Sequence, residues 1–238
     1  MPDYGISTRS SRLSDLRQQL IDGARRMGTV GLNRGTAGNL SVRLGAASAG
    51  SARSAASEAT GDGFLITPTG MPYDELAVDD LVCMRLDGSV QGRRRPSSEW
   101  RFHRDLYAAR RDAGAILHAH SPFASSLACL RRDIPPFHYM IARFGGDSLR
   151  CAGYATFGTQ ALSDAVLLAI EGRRACLLAN HGMLVVGDDL QQALDLGVEL
   201  EALCEQYWRA CLLGQPVLLD AAEMATVLEK FASYGQQS

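Results

Sequence analysis

Lysine is almost missing from this chain. Of its 24 basic residues, 23 are arginine, and Lys230 near the C-terminus is the single exception. That scarcity excludes whole chemistries. A Schiff-base enzyme needs a lysine amine kept neutral in an apolar pocket. Pyridoxal phosphate enzymes and Walker-type phosphate loops need one too. Lys230 stands in Leu228-Glu-Lys-Phe231 with a carboxylate beside it, a setting that predicts a solvated side chain. Carbonyl or phosphate chemistry in this chain must run on other groups.

Other absences narrow the field further. The six cysteines (Cys83, Cys129, Cys151, Cys176, Cys204 and Cys211) include no close pair, so neither a disulfide framework nor a zinc knuckle is expected. They are read as reduced core residues of a cytosolic protein. No stretch approaches the roughly 20 apolar residues of a membrane span. Met1-Pro-Asp-Tyr-Gly-Ile-Ser7 has no basic region followed by an apolar one, so no signal peptide is expected. The net charge of −2 gives no case for nucleic acid or an acidic membrane surface. A dinucleotide fingerprint, a nucleophile elbow and an H-E-x-x-H zinc motif are all absent.

What is present is ordinary in bulk, with 46% hydrophobic and 21% charged residues in 238, which describes a globular chain. Leu13, Leu16, Leu20, Ala24 and Met27 recur at helical spacing and predict an amphipathic helix over 11–30. Residues 31–38 should form a loop and Asn39–Leu44 a strand. Residues 45–63, nearly all Gly, Ala and Ser, cannot bury enough surface to offset their ordering entropy and predict a mobile surface loop. Strands are expected at 63–67, 81–86, 115–118, 176–179 and 183–186. Helices are expected at 96–111, after Pro122, and at 159–171, 189–213 and 221–233. Helices at both ends with short strands between them suggest a layered α/β domain with a mixed sheet.

The chemistry concentrates in three places. His118-Ala-His120 puts two imidazoles on one face of a strand. Both nitrogens of each buried ring would need partners. A divalent metal would serve one nitrogen of each; the alternative is a hydrogen-bonded core pair. His181, in a turn where Gly182 permits close approach, could add a third ligand, and three imidazoles with an open position make a catalytic zinc arrangement. Second, Pro96-Ser97-Ser98-Glu99 precedes a helix. Its hydroxyls could cap the helix or help to hold an anion. Glu99 could favour the helix dipole or point toward the metal. Third, the turns Gly35-Thr-Ala-Gly38-Asn39 and Thr67-Pro-Thr69-Gly70 could be plain connections, or their amides could cradle an anion. His103, on the helix after the serines, is read as a packing or surface residue. Trp100 and Tyr107 are read as core.

These residues carry a resemblance. GTAGNLSVR, ITPTGMPYDEL, PSSEWRFHRDLY, ILHAHSP, IPPFHYMIARFGG, YATFGT and ANHGMLVV occur in this order between about residue 13 and Gly235. The chain is similar to the class II aldolase/adducin-like family. That resemblance implies one α/β domain over residues 1–238, three layers deep, with a central mixed or antiparallel sheet flanked by helices and a flexible tail at 235–238. It implies zinc held by His118, His120 and His181, with Glu99 as catalytic carboxylate and further ligand. It implies substrate binding at Gly38, Asn39, Thr69, Gly70, Ser97 and Ser98. Tyr139 matches a tyrosine that serves the neighbouring subunit's site as proton donor, and Tyr234 one on a C-terminal tail. The implied assembly is a homotetramer with sites at subunit interfaces, in the cytoplasm. The implied activity is reversible cleavage of an L-fuculose 1-phosphate-like ketose 1-phosphate to dihydroxyacetone phosphate and an aldehyde. An epimerase, decarboxylase or dehydratase of the same family is one alternative, and a non-catalytic adducin-like binding module another.

Overall fold

The computed structural model describes residues 4–44 and 62–233. Tyr234, the tail at 235–238 and nearly all of the loop expected at 45–63 lie outside them. Eight strands form one sheet in the order β4-β3-β2-β1-β5-β8-β7-β6. Their ranges are β1 Asn39–Leu44, β2 Gly63–Ile66, β3 Val82–Arg85, β4 Val90–Gln91, β5 Ala115–Ala119, β6 Cys151–Ala152, β7 Ala175–Leu178 and β8 Gly182–Gly187. Every neighbouring pair is antiparallel except β6 and β7. The two-residue strands β4 and β6 are too short to leave a periodic signature, and reading the sequence misses both.

Helices cover both faces. On one face lie α1 (Tyr4–Thr29), α3 (Pro122–Ala128) and α5 (Leu190–Leu213); on the other lie α2 (Trp100–Ala109) and α4 (Gln160–Ala169). A last helix, α6 (Ala221–Ser233), packs on the 3₁₀ turn Tyr139–Phe144. This is the expected α/β architecture of a mixed sheet between helical layers. The helix expected from residue 11 starts at Tyr4, because too few apolar residues precede Leu13 to show a stripe. The helix expected from Pro96 starts at Trp100, because Pro96 bridges Pro68 and Ser98–Glu99 form a turn that the Trp100 N–H closes on the Ser97 carbonyl.

The two-residue period of the strands sorts side chains between the faces. Along β5, Ala115, Leu117 and Ala119 join the core under α1, α3 and α5. Ile116 joins the core under α2 and α4, and His118 lies on that same side against Phe102, with ring centroids 5.6 Å apart. Along β1, Leu40, Val42 and Leu44 face the first core, which leaves Asn39 and Ser41 facing α2. The pairing register sets Asn39 directly opposite His118. On α5, Leu190, Ala193, Leu194, Leu196, Gly197, Leu200, Leu203 and Cys204 form the buried stripe that periodicity requires. Truncating a large fully buried side chain such as Phe64 to alanine should cost about 3–5 kcal/mol.

All six cysteines are free, but only Cys176 and Cys204 are buried. Cys129 and Cys211 are exposed, so the core reading fails for those two: the helix end at Cys129 and the outer face of α5 at Cys211 leave them uncovered. Among the described residues, no helix is long and apolar enough to cross a membrane.

Candidate active site

Three parts of the fold bring four ligand-type side chains together. His118 and His120 come from β5 and the residue just after it. His181 comes from the turn between β7 and β8, and Glu99 sits at the N-cap position of α2. Their ligating atoms all lie within 4.8 Å of one another. His118 Nε2 is 3.0 Å from His120 Nε2 and 3.1 Å from Glu99 Oε2. His181 Nε2 is 3.3 Å from Glu99 Oε1.

The local sequence explains the approach. Gly182 lets the hairpin close on β5, since a Cβ there would stand 2.4 Å from the Ala119 carbonyl and 3.0 Å from the His120 ring. Asn180 takes a left-handed conformation, φ 52°. Its backbone N–H donates to the Ala128 carbonyl, and Arg131 Nε donates to its side chain at 2.5 Å. Glu99 does not cap α2 with its carboxylate; its own N–H donates to Ser97 Oγ at 3.3 Å. The expected serine cap is likewise not made at this helix, whose N-cap position is Glu99 itself. That frees the carboxylate to point into the cluster.

The donor set fits a divalent metal. His118 Nδ1–H donates to the Met183 carbonyl at 2.9 Å, which leaves the lone pair on Nε2, facing the cluster. Burial, with the neighbouring His118, pushes His120 and His181 down to about 4, so both rings are neutral at ordinary pH and carry a lone pair. Burial pushes the Glu99 carboxyl up; positive charge at the facing imidazoles, His118 first, or a cation held among them, draws it down, on balance to about 2. Glu99 Oε1 is buried without a hydrogen-bond partner. Packing alone gives no reason to crowd three lone pairs around an orphaned carboxylate oxygen, because each unmet group costs about 1–3 kcal/mol. A cation held by His118, His120, His181 and Glu99 would satisfy all four.

The cluster opens on a pocket of about 370 Å³. Gly38, Asn39, Thr69, Gly70, Ser97 and Ser98 all line it, together with Glu99, His120 and His181. Every residue expected at the substrate site is therefore on this pocket, apart from Tyr234, which lies outside the described residues. Gly38, at φ 78°, brings its backbone close under the His118 carbonyl. Three residues that reading the sequence missed, Tyr154, Phe157 and Asn180, complete the wall. Gly158, at φ 73°, packs on the Ser98 carbonyl and holds that wall in place. The aromatic pair in Tyr154-Ala-Thr-Phe157 was the available signal, since both are large apolar groups in a loop, more than half exposed.

Tyr139 is elsewhere. It is 51% exposed and lines a second cavity of about 660 Å³ with Phe137, His138 and α6. Lys230 lies on that helix, exposed, and lines this second cavity rather than the pocket at the cluster. His103 is neither a surface residue nor simple packing: it is fully buried and both ring nitrogens are bonded.

A sheet of this topology, with a three-histidine, one-carboxylate cluster at the mouth of a polar pocket, defines a class II aldolase. The family description "Class II Aldolase and Adducin N-terminal domain" matches residues 18–208, and the chain belongs to that family. It is 51% identical over 223 residues to the 5-methylthioribulose-1-phosphate/5-deoxyribulose-1-phosphate aldolase of Rhodospirillum rubrum, covering 94% of each chain. It is 43% identical over 221 residues to the L-fuculose phosphate aldolase of Escherichia coli, covering 92% of this chain and 95% of that one. A solved L-fuculose 1-phosphate aldolase superposes with a TM-score of 0.82 at 40% identity, over 92% of this chain and 96% of that one.

Proposed function

We propose that this chain is a zinc-dependent aldolase that cleaves a ketose 1-phosphate reversibly to dihydroxyacetone phosphate and an aldehyde. The observation that carries the reading is the Glu99, His118, His120 and His181 cluster at one side of a pocket whose other side is built from the two glycine turns and Ser97-Ser98. A bound zinc ion would supply Lewis-acid stabilisation of the charge that develops on the ketone and its neighbouring hydroxyl oxygen.

The chain's own groups do the rest. Hydroxyls of Thr69, Ser97 and Ser98 and amides around Gly38 and Gly70 hold the phosphate with neutral donors, in keeping with the lack of lysine. In the cleavage direction the C4 hydroxyl loses its proton and the C3–C4 bond breaks. The electron pair left at C3 then takes up a proton that the Glu99 carboxylate relays from solvent, so that the proton lost at the C4 oxygen is balanced by the one gained at C3. In the synthetic direction Glu99, ionised across the ordinary pH range, removes that proton. Tyr139 lines the second cavity and not the pocket at its own cluster, which fits a role at the aldehyde oxygen in a neighbouring subunit of a homotetramer. Tyr234 is assigned alongside it at the substrate.

The relatives' substrates narrow the aldehyde. The L-fuculose phosphate reading and the methylthio- or deoxyribulose phosphate reading share the phosphate end and differ at the far end. Tyr154 and Phe157 line the same pocket, and we assign the far end of the substrate to them. An apolar wall suits a methyl or methylthio terminus, since each buried CH₂ gains about 0.8 kcal/mol and each unpaired hydroxyl costs. We therefore rank 5-methylthioribulose and 5-deoxyribulose 1-phosphates above L-fuculose 1-phosphate. The test is a panel of these three with zinc-loaded protein, scoring release of dihydroxyacetone phosphate. Glu99→Gln should lower kcat by about 10²–10⁴-fold with zinc still bound. Glu99→Gln turnover above a tenth of the wild type would refute the assignment of Glu99, and no dihydroxyacetone phosphate from any of the three would refute the reaction.

A further inference from the structure

Behind Glu99 the pocket floor continues into the core as a line of buried polar side chains. Asn39 Nδ2 donates to Glu99 Oε2 at 3.1 Å and to Ser97 Oγ at 3.0 Å. Asn39 Oδ1 lies 2.5 Å from His103 Nε2. His103 Nδ1 lies 2.7 Å from Ser41 Oγ, and Ser41 Oγ lies 2.8 Å from the Tyr107 hydroxyl. None of these six side chains is more than 6% exposed.

The direction of every bond follows from one end. An ionised Glu99 only accepts, so the Asn39 amide must turn its NH₂ group toward it and its oxygen toward His103. That oxygen only accepts, so His103 must carry its proton on Nε2. A neutral ring then accepts at Nδ1, so the Ser41 hydroxyl donates to it and receives in turn from Tyr107. The opposite tautomer would set a lone pair against Asn39 Oδ1 at 2.5 Å. A charged ring is excluded by burial, which pushes His103 down to about 3. The strand and helix periods make the line possible: Asn39 and Ser41 are two apart on β1, and His103 and Tyr107 are four apart on α2.

We infer that His103 is a positioning residue for Glu99: as the neutral Nε2–H tautomer, held by Ser41 and Tyr107, it fixes the Asn39 amide with its NH₂ group toward the carboxylate. Without it, the Asn39 amide is free to flip and present an oxygen to Glu99. With it, Oε2 is anchored by the Asn39 amide, and Oε1 is the oxygen left without a donor. The line thus settles which carboxylate oxygen is available for proton transfer. Polar groups at these core positions cost stability unless every one is bonded, and an apolar set of the same size would pack as well.

This inference rests on the reading of Glu99 as the proton carrier, and the experiment separates the two. His103→Gln, His103→Phe, Ser41→Ala and Glu99→Gln are compared with the wild type, each zinc-loaded, for thermal midpoint, zinc content and kcat on 5-deoxyribulose 1-phosphate. Long-range ¹H–¹⁵N spectra of the imidazoles read the His103 tautomer directly. His103→Phe should lower kcat by about 10–100-fold at unchanged zinc content, the cost of one misaligned charge-assisted bond. His103→Gln, which keeps an N–H in the Nε2 position, should recover to within about threefold of the wild type. Ser41→Ala should lower kcat with zinc retained and give a mixture of tautomers, which keeps the test open if His103→Phe does not fold. The ring in the wild type should be neutral and Nε2-protonated from pH 5 to 9. Equal impairment of His103→Gln and His103→Phe overturns the inference. So does an unimpaired His103→Phe, an unaltered Ser41→Ala variant, or an Nδ1-protonated ring. Retained activity in Glu99→Gln would instead refute the role of Glu99, while the tautomer measurement would still judge the geometry.

Discussion

Gly38→Ala should damage both the fold and the metal site, and Gly35→Ala separates the two causes. Both glycines have left-handed backbones, φ 78° and 67°. A side chain in that conformation costs about 1 kcal/mol or somewhat more. At Gly35 nothing lies within 4 Å of an added Cβ, so that cost is the whole effect. At Gly38 the Cβ would stand 2.5 Å from Asn33 Nδ2, 2.6 Å from Asn33 Oδ1 and 2.6 Å from the His118 carbonyl oxygen. Asn33 is nearly buried and the carbonyl is backbone, so neither yields cheaply. Overpacking of this kind adds about 1–3 kcal/mol, for a total of about 2–4 kcal/mol. In a chain of this length, calorimetry should show the melting point about 5–15 °C lower for Gly38→Ala and about 2–4 °C lower for Gly35→Ala. Because the strain is relieved by pushing β1 away from β5 at His118, zinc affinity should fall in Gly38→Ala and not in Gly35→Ala. If the two variants melt within about 2 °C of each other and bind zinc equally, the close approach of Gly38 to His118 is not what the structure indicates.

Three further outcomes are expected. His118→Ala should weaken zinc binding by more than the roughly 10–100-fold that loss of an outer partner costs, as read by metal titration, and chelator treatment of the wild type should abolish turnover until zinc is restored. Asp80 is nearly buried beneath Arg93 and Arg94, and the Arg94 hydrogen bond, the Ala77 amide and Arg93 hold its carboxyl down at about 2. Its folded value lies below the ordinary value near 4, so its stabilisation is full above about pH 4 and is lost as pH falls toward 2. The wild type should therefore exceed Asp80→Asn in stability at pH 7, and denaturant titrations should show the gap closing below pH 4. Finally, Lys230→Arg should keep turnover essentially intact, and borohydride added with substrate should not inactivate the wild type; inactivation would reveal the lysine adduct that the near-absence of lysine argues against.

Much of the site could be read in the sequence because its parts obey local periods. His118 and His120 share a face wherever they stand on a strand. Gly38, Gly70 and Gly182 mark places where a backbone turns or closes in. The scarcity of lysine pointed to a metal route and to neutral phosphate donors. His181 and Glu99 could be read only as possible further ligands, and the resemblance joined all four into one set. The role of His103 was not legible, since a histidine on a helix next to aromatics reads as packing until its partners on another element are known. Tyr154, Phe157 and Asn180 reached the pocket through loops whose paths no periodicity fixes.

The sequence by itself determined which faces of each strand and helix are polar, because side-chain direction follows from 3.6- and two-residue periods within one element. It also determined that lysine chemistry is closed. Only the tertiary structure decided that Asn39 stands opposite His118, that Glu99 at the start of α2 points into the same cluster as His181, and that a line of hydrogen bonds runs from Tyr107 to Glu99. Those relations are set by strand order and register. They depend on how β1, β5, β8 and α2 pack together over long separations in the chain, and no local period carries that information.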